Sequence, residues 1–154
     1  MNKKKKICIL GKLPSKFYAP FNDTSWEIWS MNKHKDEMLI PRVDKWFDLH
    51  KIPVKPDADI LRDDFPMEEC FDLVGGHYFN NTSSFLVAYA ILQGATDIAL
   101  YGMRFDIDHS HRQAEYYNMR ELIFFAKGRG INITSYEEVL MAPYVYKATG
   151  DFDS

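Results

Sequence analysis

Residues 85–92 read Phe-Leu-Val-Ala-Tyr-Ala-Ile-Leu, and no other stretch restricts the fold as strongly. As a helix it is apolar on nearly every face, so it must be covered on several sides. Asn80-Asn81-Thr82-Ser83 ahead of it supplies capping side chains, and Gly94 ends it.

The rest of the chain supplies the cover. Ile7 to Leu10 is a short apolar run, preceded by lysines and stopped by Gly11, which describes a buried strand entering a glycine turn. Asp97 to Tyr101 followed by Gly102 repeats that unit. Aromatic and β-branched content predicts strands over 26–31 and 43–49, with Ile60-Leu61 as a short one. Asp64 and Pro66 start a helix over 67–74, closed by Gly75-Gly76. Met119, Leu122, Ile123 and Ala126 form one stripe of a helix within 112–127, and Ile131 to Thr134 is a last strand. Ser135 and Glu138 have capping-box spacing for a short final helix. This order predicts an α/β fold: a single three-layer Rossmann-like domain with a mainly parallel sheet over 1–154. Its core is expected at about 5–141, with a polar tail over 147–154.

The 154 residues make one domain's worth of sequence. A net charge of −3 argues against nucleic acid, since a binder working by bulk electrostatics is basic. Lys3 to Lys6 precede only four apolar residues, too few for a secretory core, and no stretch reaches the ~20 of a membrane span. A cytoplasmic setting without a membrane partner is the expectation. Cys8 and Cys70 sit among apolar residues and read as small buried hydrophobes. The three tryptophans read as core, although one at a strand end could stack on a base. A homodimer is the commonest assembly for such a chain.

Open parallel sheets bind ligands beyond the carboxyl ends of their strands. The residues expected there are Gly11, Lys12, Pro14 and Ser15, then Asn32, then Asp48 and His50, then Gly102, Arg104 and Asp106. Asn81, Thr82, Ser83 and Ser84 open the buried helix, whose free N–H groups favour an anion. Gly11 to Ser15 is neither a Walker loop nor a dinucleotide fingerprint, and by itself reads first as an ordinary turn, with phosphate contact second. The 81–84 cluster serves as a plain cap on the bland reading. Asp48 and His50 suit acid/base work or a structural hydrogen bond. Asp106, Asp108, His109 and His111 could surround a hard cation, but the spacing matches no zinc pattern. A solvated loop is the default there, so no metal site is assigned. Arg104, Arg112 and the two histidines suit phosphate contacts from such a loop.

Ile9 to Ser15, Trp26 to Asn32 and Arg42 to His50 together resemble small Rossmann-like proteins of bacteriophage genomes. Phe65 to Glu69, Tyr78 to Ser84, Ile98 to Gly102 and Ala126 to Ile131 extend the resemblance over most of 5–141. More remotely, Thr82 to Ser84 followed by Leu100-Tyr101-Gly102 is similar to the hydroxymethylpterin pyrophosphokinase-like and sialyltransferase-like group. That group handles nucleoside triphosphates or nucleotide-activated sugars. The resemblance implies nucleotide phosphates against Gly11 to Ser15 and Asn81 to Ser84. The chain departs where the group often has Gly-x-Asp, reading Gly102-Met103-Arg104, and Glu115-Tyr116-Tyr117 replaces a Gln-Arg-Pro segment common in the phage proteins.

Three functions follow as expectations. The first is a transferase acting on a nucleoside phosphate or nucleotide-activated sugar, with Asp106, Asp48 and His50 catalytic. Its phosphoryl chemistry would need Mg²⁺ on Asp106, Asp108 or Asp48. The second is a non-catalytic binder that sequesters a nucleotide signal of host antiviral defence. The third is a structural or interaction protein with a vestigial site, using Tyr144 and Tyr146 if they are exposed.

Overall fold

A computed structural model describes residues 3–104, 110–137 and 140 of the chain. Six strands form one sheet: β1 (Lys6–Leu10), β2 (Trp26–Met31), β3 (Lys45–Asp48), β4 (Ile60–Leu61), β5 (Asp97–Tyr101) and β6 (Asn132–Ser135). Their order is β4-β3-β2-β1-β5-β6, and every pairing is parallel. Three α-helices, α1 (Met67–Val74), α2 (Thr82–Leu92) and α3 (Ser110–Gly128), fill the connections after β4 and β5. The sequence reading of an α/β fold with a parallel sheet holds.

The chain runs outward from β1 to β4, then crosses back to β5 and continues to β6. Right-handed crossovers in those opposite directions place the two sets of connections on opposite faces. The helices therefore share one face. There Ile7, Ile9, Trp29, Phe47, Ile98 and Leu100 pack with Cys70, Leu86, Val87 and Met119 in the main core. The other face buries Cys8, Leu10, Ile28 and Ala99 under Ala19, Phe21 and Ile40, which belong to loops and short 3-10 turns. Burial pushes both thiols up to about 12, as expected of cysteines serving as core hydrophobes.

The predicted all-round apolar helix is α2, held between α1 and α3 with its inner face on β1. Trp29 is fully buried and meets Phe47 and Tyr89, whereas Trp26 and Trp46 are half-buried, each with a lysine ammonium over its ring. The 3-10 helices Pro14–Tyr18 and Glu37–Leu39 were not expected, because neither carries an apolar period. Ser135 still belongs to β6, and the predicted final helix runs into residues outside the described set.

Candidate functional site

A fully parallel sheet brings every strand's carboxyl end to one edge, so Asp48 ends β3 there and Gly11, Asn32, His50, Gly102 and Arg104 follow strands that end along it. The topological switch lies between β1 and β5, where chain direction across the sheet reverses. Backbone closes it. Gly11 donates its N–H to the Tyr101 carbonyl (2.7 Å), and Leu13 donates to that of Gly102 (2.9 Å). A β-carbon at Gly11 would stand 2.2 Å from the Gly102 carbonyl oxygen, and Gly102 itself takes a φ of +76°. Both glycines serve strand-to-strand contact.

Ser15 belongs to the same closure. Its hydroxyl donates to Glu137 Oε2 (2.6 Å), while Glu137 Oε1 accepts the N–H of Met103 (2.9 Å). A carboxylate from beyond β6 thus binds the loops after β1 and β5 together. Ser15 is engaged on the β5–β6 side, whereas Ser83 donates to Met31 Sδ (3.4 Å) at the end of β2. The two segments expected to share phosphates thus have different side-chain partners along the edge.

The side facing α2 is more open in its chemistry. Asn81 caps α2 by accepting the N–H of Ser84 (2.9 Å), and its amide donates to the Ser84 hydroxyl (2.9 Å) and to Asn118 Oδ1 (3.3 Å). The N–H groups of Thr82 and Ser83 have no partner among the described residues. Two free donors at the positive end of an eleven-residue helix suit an anion. Next to Met31, Asn32 holds a left-handed φ of 59°. Its N–H donates to the Phe47 carbonyl and its own carbonyl accepts from Trp46 Nε1, but its side-chain oxygen is buried without a partner among the described residues. A ligand N–H or O–H is one group that satisfies such an acceptor.

At the end of β3, Asp48 is fully buried and His50 half-exposed. Asp48 Oδ1 accepts from the backbone N–H of His50 (3.1 Å) and lies 2.7 Å from His50 Nδ1, while Oδ2 accepts from the N–H of Lys55 (2.6 Å). Burial pushes the carboxyl pKa up, but the Lys55 N–H and the His50 contacts outweigh it, so Asp48 lies below its ordinary value. An ionised carboxylate only accepts, so Nδ1 of His50 carries the proton. In the neutral ring Nε2 is then an unprotonated base without a partner among the described residues. Both oxygens of Asp48 are thus engaged by His50 and the Lys55 N–H. Among the described residues, no group of three His, Cys, Asp or Glu could hold a metal ion.

Sequence reasoning missed the network behind this edge. Lys16, fully buried, donates to the Lys12 carbonyl (3.1 Å), Asp36 Oδ1 (2.5 Å) and His34 Nδ1 (3.0 Å). His34 Nε2 then carries its proton toward the Met31 carbonyl (3.1 Å) and Ser30 Oγ (3.0 Å). Burial and the Lys16 charge pull His34 down to about 4, so it is neutral. The network ties the loop after β1 to the loop after β2. The side-chain partners His34 and Asp36 lie 18 and 20 residues from Lys16, a separation that no local pattern reveals.

The remaining expected residues are peripheral or undescribed. Lys12, Pro14 and Arg104 are exposed, and Arg112 pairs with Glu115 on α3 (3.6 Å). Asp106, Asp108, His109, Tyr144 and Tyr146 lie outside the described residues, as does the side chain of His111. A groove of about 520 Å³ lies at the opposite, amino edge between Lys4 to Lys6, Trp26 and Arg42. There the Arg42 guanidinium is already bound to the carbonyls of Phe21, Asp23 and Trp26 and to Asp44.

No protein-family model matches the sequence, and no curated protein matches it. Among solved structures the chain is similar to the sialyltransferase CST-II in complex with a trisaccharide acceptor and CMP. Identity is 16% and the TM-score 0.49, over 87% of this chain and 82% of that one. A CST-II variant in complex with CMP is similar at 12% identity and a TM-score of 0.47, over the same shares.

Proposed function

We propose that the chain is a transferase that binds a nucleoside phosphate at the carboxyl edge between β2, β3 and the start of α2. It passes the activated group, a glycosyl or phosphoryl unit, to a hydroxyl acceptor. The Asp48–His50 pair carries this reading: a buried carboxylate fixes the tautomer of a half-exposed histidine whose other nitrogen is free. The N–H groups of Thr82 and Ser83 receive phosphate oxygens, and the Asn32 side-chain oxygen accepts a ligand hydroxyl or amine proton. His50 Nε2 takes the acceptor's proton as the acceptor oxygen bonds to the transferred centre. The bond from that centre to the nucleotide breaks, and its electron pair leaves with the nucleotide. Asp48 stabilises the imidazolium so formed. A phosphoryl reaction would draw on Mg²⁺ to neutralise charge. The bacteriophage setting and the pyrophosphokinase-like kinship implied by the motif order belong to this reading as well.

The test incubates the protein with nucleoside triphosphates, nucleotide sugars and cyclic nucleotides, with and without Mg²⁺, and analyses retained and free compounds by mass spectrometry. A consumed donor is expected, and the mass change names the bond. His50→Ala is expected to slow turnover by about 10²-fold or more while binding persists. A compound retained unaltered would replace the reading with sequestration, and no retention at all would remove the nucleotide.

A further inference from the structure

Four aliphatic side chains protrude from the loops flanking Asp48 and His50. Met38 is 95% exposed, Ile52 84%, Leu39 71% and Val54 47%. Water-exposed side chains of this size on two bonded loops offer apolar surface to a partner. The loops act as one unit: Lys55 Nζ donates to Glu37 Oε2 (2.7 Å), and the Lys55 N–H donates to buried Asp48. The Glu37 bond to Lys55 holds that carboxyl below its usual range, so the strut is ionised at neutral pH. Lys33, Lys35 and Lys51 stand beside these tips, exposed and with no ion pair among the described residues.

We infer that the Met38–Leu39 turn and the Ile52 loop dock the protein onto an anionic lipid surface. The tips enter the acyl boundary while Lys33, Lys35 and Lys51 meet the headgroups. Charge complementarity selects this occupant: the charges adjoining Met38 and Ile52 in the chain are the unpaired cations Lys33, Lys35 and Lys51, while Asp36, Glu37 and Asp57 are ion-paired and Asp59 accepts the Trp46 N–H. The tips are aliphatic, whereas protein interfaces favour aromatic anchors and pockets to receive them. The sequence expectation of no membrane partner rested on the absence of a spanning segment. No helix among the described residues is long and apolar enough to cross a membrane, and peripheral docking needs none. The docking holds His50, one residue from Lys51, at headgroup level, but it does not rest on the proposed transfer.

The experiment sediments the full chain with phosphatidylcholine vesicles, with and without about a third phosphatidylglycerol. Binding to the anionic vesicles alone is expected. The double variant Met38→Asp/Ile52→Asp is expected to lose at least about tenfold in partitioning. Lys33→Gln, Lys35→Gln and Lys51→Gln are each expected to weaken it about fivefold. Unchanged thermal unfolding of these surface variants separates docking from folding. The inference is overturned if the native chain leaves anionic vesicles unbound, or if the aspartates leave binding intact. Vesicle-free self-association that the aspartates abolish would also overturn it, giving the patch to a second copy of the chain.

Discussion

His34 is neutral in the folded chain because burial and the Lys16 ammonium both oppose its protonation, which is displaced to about 4. In the unfolded chain a histidine protonates near ~6.5. Between those values the unfolded state binds more protons, so stability is complete above the unfolded value and falls as pH drops toward the folded one. The gap corresponds to about 3 kcal/mol. Asp36, lowered chiefly by its bond to Lys16, and Asp48, also lowered, act in a separate window. Their contributions are lost only as pH falls below the ordinary carboxylate range. Urea unfolding at about pH 5 and about pH 7 is expected to show the loss. His34→Gln, which can still accept from Lys16 and donate to Met31, should flatten it. An unchanged slope in that variant would assign the titration elsewhere. None of this was legible locally, since His34 is flanked only by Lys33 and Lys35.

At the scale of elements, apolar runs bounded by glycines made β1, β5, α1, α2 and α3 readable. The 3-10 turns were not, because a run of three to five residues held by tertiary contacts has no period. The cap of α2 was read correctly as a cap, and its amide also reaches Asn118 on α3. Stability and anion binding separate by substitution there. Asn81→Ala is expected to cost about 1 kcal/mol and to lower nucleotide affinity, since the first turn loosens. Asn81→Asp keeps an acceptor for the Ser84 N–H and favours the helix dipole, but it loses the donations to Ser84 Oγ and Asn118, and its charge repels phosphate. Thermal unfolding and nucleotide titration of both variants check this: the aspartate should bind nucleotide more weakly than the alanine. Equal nucleotide binding by all three proteins would place the anion away from α2.

Across the whole molecule, the joint between β1 and β5 decides whether the sheet closes. Gly11→Ala forces a methyl group into the Gly102 carbonyl, backbone against backbone, with no flexible side chain to yield. The expected cost is about 3 kcal/mol or more, read as a lowered melting temperature or loss of soluble protein. Wild-type stability of that variant would refute the close approach.

The sequence by itself determined the parallel α/β class, the burial of α2 and the roster of strand-end residues. Those properties follow from hydrophobic periodicity and glycine stops along neighbouring residues. Tertiary structure alone decided which strand ends cooperate. Gly11, Ser15 and Gly102 became the seal of the switch point, with Glu137 as its clasp. Asp48 and His50 became an oriented pair, and Lys16 with His34 became a buried strut. Each outcome depends on bonds between groups brought together by strand order and crossover hand, and side-chain spacing along the chain carries no record of that order.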